Sequence, residues 1–104
     1  MTTSFNPEQA IEAFHALQRQ AHAPWRLQAN ALEVEWVFKD FAQAMAFMNA
    51  VAEVADRMNH HPEWSNVYNR VRVRLTTHDA GGLTALDFAL AQAMDALAMT
   101  ASQS

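Results

Sequence analysis

The chain has 104 residues, 51% of them hydrophobic, with a formal net charge of −4 and no cysteine. That length suits one domain spanning residues 1–104, and a domain of this size buries roughly two-thirds of the surface its unfolded chain would expose. The apolar content is too high for a disordered chain, the acidic balance argues against phosphate-driven nucleic-acid binding, and the lack of cysteine excludes disulfide frameworks and thiolate zinc sites.

Arg70, Arg72 and Arg74 are a local basic exception. No stretch approaches the ~20 apolar residues that a membrane-spanning helix needs. The N-terminus carries no basic residue ahead of an apolar run, so the expected location is the cytoplasm.

In chain order, Asn6, Pro7 and Gln9 read as a helix start, with an N-cap oxygen, a residue pre-set for the first turn and a capping-box partner. Ala10, Phe14, Leu17 and Ala21 then fall on one face, and Pro24 closes the helix. Trp25 to Ala29 alternates apolar with polar as a half-buried strand does, and Asn30 is a turn residue. Leu32, Val34, Trp36 and Phe38 continue the period of two, with Glu33, Glu35 and Lys39 opposite, so a second strand pairs back on the first.

Asp40 with Gln43 starts a second helix, in which Phe41, Ala44, Met48, Val51, Ala52, Ala55 and Met58 recur at spacings of three and four. It ends near His60, because Pro62 forces the residue before it out of the helical region. Trp64 to Val67 forms a third strand, Tyr68 and Asn69 a turn, and Val71, Val73 and Leu75 alternate with the three arginines in a fourth. Gly81 and Gly82 supply a flexible turn, and Thr84 with Asp87 caps a third helix carrying Leu86, Leu90, Ala93, Met94 and Leu97. From Thr100 onward the pattern is uninformative. The order α-β-β-α-β-β-α implies an α+β two-layer sandwich, a four-stranded antiparallel sheet with three helices on one face.

The chemistry concentrates on histidines. His60 and His61, side by side at a helix end before Pro62, are two groups that titrate near neutral pH. The helix C-terminus and Asp56, one turn earlier, both favour a protonated His60 able to act as a general acid, while Pro62 turns His61 onto another path. His78 follows the fourth strand on its arginine side and precedes the glycine turn, where a loop can approach a ligand. All three rings are expected at solvent-accessible ends of elements. A bland surface pair and a polar loop residue are the competing readings.

Zinc is disfavoured, since adjacent histidines chelate one ion poorly and no i, i+4 pair or carboxylate set accompanies them. Trp64 follows closely enough to wall a planar ligand, although core is its commoner fate. Met45, Met48 and Met58 on the second helix read as core or subunit contact. That surplus of apolar surface, with a fourth strand able to pair across an edge, predicts an oligomer.

Taken together these residues resemble the pterin-4a-carbinolamine dehydratases. The resemblance rests on Phe38-Lys39-Asp40-Phe41 with Ala44 and Phe47-Met48, on His60-His61-Pro62-Glu63-Trp64, on Asn66-Val67-Tyr68-Asn69, and on Thr77-His78-Asp79 with Gly82-Leu83 and Asp87. It covers the chain from about Trp25 to Leu90.

It implies dehydration of 4a-hydroxytetrahydrobiopterin to the quinonoid dihydropterin, recycling the cofactor of an aromatic amino acid hydroxylase, with no metal and no organic cofactor. It implies catalysis by His60, His61 and His78, substrate contacts at Pro62, Trp64, Thr77, Asp79 and Ala80, a supporting role for Asp56, and a homodimer or homotetramer. This chain departs from animal members at Asn59, where they commonly carry Asp, and at Asp56, where they carry Glu. The alternatives are a non-catalytic oligomeric interaction module and a pterin-handling role in molybdenum cofactor metabolism.

Overall fold

The seven periodic segments fold into the layers their patterns call for. The computed structural model describes residues 3–102. Helix α1 (Pro7–Gln20) is followed by β1 (Arg26–Gln28), β2 (Ala31–Val37), α2 (Phe41–Met58), β3 (Glu63–Val67), β4 (Arg70–Leu75) and α3 (Ala85–Ser102). A single 3-10 turn, His78–Ala80, sits between β4 and α3. The strands form one antiparallel sheet in the order β1-β2-β4-β3.

Period two divides the sheet into a buried and an exposed face. Leu32, Val34, Val71, Val73 and Leu75 are buried and join Leu17, Phe47, Val51, Leu90 and Met94 from the helices in one core. Glu33, Glu35, Arg70, Arg72 and Arg74 alternate with them on the uncovered face, where they pair with one another. Trp36 bridges the layers, with its ring 4.9 Å from Phe47 and 5.4 Å from Trp25.

Helix starts obey their caps. Asn6 Oδ1 accepts from Gln9 N at 2.8 Å while Gln9 Oε1 accepts from Asn6 N at 2.9 Å, a reciprocal capping box. Asp40 Oδ1 accepts from Gln43 N at 2.9 Å, whereas the Gln43 side chain reaches back one residue further, to Lys39 N at 3.0 Å.

Several expectations change. Helix α1 stops at Gln20, short of Pro24, and α3 runs on through Thr100 to Ser102. On α2, Phe41 and Ala52 are exposed, and the buried face is Gln43, Ala44, Phe47, Val51 and Ala55. Strand β4 lies in the sheet interior with β2 and β3 on either side, so the edges open to another chain are β1 and β3. Alternation reports which face is buried and carries no information about lateral position. Among the described residues no helix is long and apolar enough to cross a membrane.

The turn after α1 depends on a carboxylate from α3. Asp95 is buried at 5% exposure and accepts His22 N at 2.8 Å and Ala23 N at 2.9 Å. Hydrogen bonds to a charged group contribute about 1.5–3 kcal/mol each, and losing the acceptor leaves two amides to find water. Asp95→Ala is therefore expected to cost about 2 kcal/mol, a fall in Tm of roughly 10 °C for a domain of this size. Asp95→Asn, which keeps one acceptor, should lose less. Thermal denaturation followed by circular dichroism checks both; an unchanged Tm in the alanine variant removes Asp95 as the clamp.

Candidate functional site

Helix α2 ends in a reversal that Asn59 makes. Its φ of 52° and ψ of 42° are left-handed, its N–H bonds back to Ala55 O and Asp56 O, and His60 N bonds to Ala55 O at 3.0 Å. That pair of bonds is a Schellman closure, and asparagine is among the few residues that adopt its left-handed position readily. The helix thus ends before Pro62 acts on it, and the chain folds back so that His60 turns inward. His60 is buried at 8% exposure, not solvent-accessible as expected from its place at a helix end.

Its partner is also a correction. His60 Nε2 lies 2.6 Å from Asp87 Oδ1, while Asp56 pairs with His61 instead, Nε2 to Oδ1 at 2.9 Å. Asp87 is wholly buried. Its second oxygen accepts Thr84 N at 2.9 Å and the Thr77 hydroxyl at 2.8 Å, and the Thr77 and Thr84 hydroxyls are 2.9 Å apart. Leu86 N completes the helix start by donating to Thr84 Oγ1 at 3.2 Å. The capping carboxylate that the spacing of Thr84 and Asp87 predicts is therefore also the group that holds His60. Sequence reasoning places Asp87 as a cap and misses this role, because nothing local links it to a ring 27 residues away.

Thr77 is tied in from the other side by its backbone pairing with Gly82, across the 3-10 turn that Gly81 closes at φ 78°. This brings Thr77, Asp79 and Ala80 beside His60 on an open cleft of about 760 Å³, walled also by Met58, Asn59 and Leu86. The volume suits a small ligand, for which clefts of about 300–1,000 Å³ are typical. Another concavity of about 510 Å³ lies on the uncovered sheet face, but the arginines and glutamates that line it pair mainly with one another.

The remaining expected residues are not part of this cleft's lining, and Trp64 lines the concavity on the sheet face instead. His61 is exposed, held by Asp56. His78 is exposed, with Nε2 2.9 Å from Glu63 Oε2. Pro62 is half-buried between them in sequence, and Trp64 packs half-buried against the core. Each of the three rings thus has its own carboxylate, one buried and two in water. Among the described residues no group of three or more His, Cys, Asp or Glu side chains converges to hold a metal ion.

Known proteins resemble this chain along nearly its whole length. The profile of the family described as Pterin 4 alpha carbinolamine dehydratase matches residues 5–97. A provisionally named pterin-4-alpha-carbinolamine dehydratase of Solibacter usitatus (strain Ellin6076) is 48% identical over 98 residues, 94% of this chain and 98% of that one. One of the same provisional name from Synechococcus sp. (strain WH7803) is 58% identical over 73 residues, 70% of this chain and 78% of the relative.

Among solved structures, a transcriptional coactivator/pterin dehydratase from Brucella melitensis superposes with a TM-score of 0.83 at 37% identity, covering 92% of this chain and 99% of that one. A pterin dehydratase-like protein described as a RuBisCO assembly factor in the alpha-carboxysome gives a TM-score of 0.64 at 29% identity, over 74% of this chain and 92% of that one. With the family profile matching residues 5–97 and a solved pterin dehydratase superposing on most of the chain, the chain belongs to the pterin-4a-carbinolamine dehydratase family.

Proposed function

We propose that this chain dehydrates 4a-hydroxytetrahydrobiopterin to the quinonoid dihydropterin, a hydro-lyase step that serves an aromatic amino acid hydroxylase in the cytoplasm. The observation that carries the reading is the buried His60–Asp87 pair beside Thr77, Asp79 and Ala80 on one cleft. The reaction is two proton transfers around one bond cleavage. The 4a-hydroxyl takes a proton and leaves as water, the C4a–O bond breaks, N5 gives up its proton, and the C4a=N5 double bond forms. Imidazoles suit both transfers because they exchange protons near neutral pH.

The carboxylates decide which ring nitrogen takes part. A neutral imidazole that donates Nε2–H to a carboxylate keeps its lone pair on Nδ1. His60, His61 and His78 all have Nε2 on a carboxylate, so Nδ1 is the exchanging atom in each. The buried pair fixes the His60 ring, which fits the base that removes the N5 proton. His61 and His78, in contact with water, fit the supply of the proton to the departing hydroxyl. Thr77, Asp79 and Ala80, together with Pro62 and Trp64, are the proposed substrate contacts, and Asp56 steadies His61.

General acid-base assistance contributes about a hundredfold to ten-thousandfold, so His60→Ala, His61→Ala and His78→Ala should each slow dehydration measurably above the spontaneous rate. The losses should not add, since groups that share one proton inventory act as a unit. Asp87→Asn keeps the shape of the buried pair and disturbs the His60 tautomer, and should cost about a hundredfold in kcat. Single-turnover assays on enzymatically generated 4a-hydroxypterin, with circular dichroism as the control for folding, measure all of these. A folded triple histidine variant as fast as the parent favours the second reading, a non-catalytic interaction module, which the likeness to the RuBisCO assembly factor supports.

Exhaustive chelation should leave the rate unchanged, because each ring is committed to a carboxylate and not to a shared centre. Loss of activity on chelation, restored by added zinc, would make the rings ligands.

We further propose a homodimer or homotetramer. Strand β3 is an open edge, and Val67, Tyr68 and Val37 around its end are 72%, 63% and 57% exposed. Light scattering at micromolar concentration should find the oligomer, and Val67→Lys, which puts a charge on that edge, should shift it toward monomer. A monomeric parent with its rate intact overturns the proposal.

A further inference from the structure

The exposed face of the sheet carries a row of alternating charge that ends on a histidine. Strand register sets Arg26 opposite Glu33, Glu33 opposite Arg74, and Arg74 opposite Glu63, one side chain from each strand. Their ion pairs follow that row, Arg26 to Glu33 at 3.8 Å, Arg74 to Glu33 at 3.5 Å and Arg74 to Glu63 at 3.2 Å. It continues beyond the sheet. The Glu63 oxygen that meets Arg74, Oε2, is also the one 2.9 Å from His78 Nε2.

We propose that Glu63 is a positioning residue for His78, and that the row of charges across the four strands holds Glu63 ready for that task. The inference rests on the reading of His78 as an acid-base group. Three observations carry it. His78 is 75% exposed and Glu63 is its side-chain hydrogen-bond partner among the described residues, so this contact is what orders an otherwise solvated ring.

Glu63 stands directly after Pro62, two residues beyond His61, so its carboxylate ties the turn that carries His78 to the segment that carries the other two rings. Finally, Glu63 Oε2 meets Arg74 Nη1 and His78 Nε2 together, which places His78 at the end of the row. An isolated exposed pair orders little, because two long side chains lose entropy in holding one geometry. Here the strand register has already set the spacing of the charges, and each member restrains the next.

A residue that acts only through His78 must lose its effect when His78 is gone. The test is a double-mutant cycle on the full chain, with kcat and KM for dehydration and the relaxation of the His78 ring carbons as readouts. Glu63→Ala is expected to lower kcat about fivefold, the population bias that an exposed pair can hold, with KM unchanged and a more mobile His78 ring. Glu63→Gln, which keeps an acceptor, should recover most of the rate and the ring order. In the His78→Ala background, Glu63→Ala should cost nothing further.

Equal losses from Glu63→Ala in both backgrounds would mean that Glu63 acts elsewhere and would overturn the inference. So would a Glu63→Ala variant at full speed, or one in which the ring is as ordered as in the parent. A His78→Ala variant as fast as the parent removes the catalytic reading of His78 and this inference with it. That failure is told apart by the ring relaxation, which reports the contact without reference to activity.

Discussion

Asp87 carries a carboxylate with no solvent exposure that meets a backbone amide, a hydroxyl and an imidazole. Taking a carboxylate out of water costs several kcal/mol unless its oxygens are met by donors, so three parts of the chain must arrive together. Thr84 N belongs to the start of α3, Thr77 to the exit from β4, and His60 to the end of α2. The helix cap, the return of the sheet and the orientation of the ring are in effect one condition. The His60 ring is therefore anchored by the same carboxylate that fixes where the last helix starts.

The three histidine–carboxylate pairs differ in what surrounds them. In the His60–Asp87 pair the side chains are 9% and 0% exposed, whereas His61–Asp56 shows 59% and 80%, and His78–Glu63 shows 75% and 48%. Exposed pairs of this kind contribute at most about 1 kcal/mol and are screened by salt. They hold their rings less firmly than Asp87 holds His60, and they leave them in contact with bulk water. A dehydration has to release a water molecule and return a proton each turnover. One fixed ring and two solvent-coupled rings would suit the proposed reaction better than three alike.

Much of this was legible in local pattern. The alternation along β4, the capping boxes at Asn6 and Thr84, and the helical spacing in α2 are short-range signals, and each element formed within a few residues of its expected place. What stayed hidden depends on contacts between distant parts of the chain. Asp56 is one turn from His60 and therefore looked like its partner, yet it bonds His61, because Asn59 reverses the chain between them. Period two gave the buried face of β4 correctly and could not say that the strand is interior. His60 looked exposed because helix ends usually are. Only the arrival of α3, with a carboxylate in need of a donor, makes its interior position favourable.

The left-handed residue before the histidines explains how two neighbours in sequence come to occupy such different surroundings. After a Schellman closure the next residue packs back toward the last helical turn, and the one beyond it points away. His60 and His61 fall on those two positions, so a single backbone conformation at Asn59 sends one ring to Asp87 in the interior and the other to Asp56 in water. Asparagine at this point, where animal members of the family commonly carry aspartate, preserves the turn, since both side chains tolerate the left-handed region. It removes a negative charge next to the cleft. His60 then has the buried Asp87 as its hydrogen-bonded carboxylate, which makes that pair, and not the helix end, the feature that governs the site.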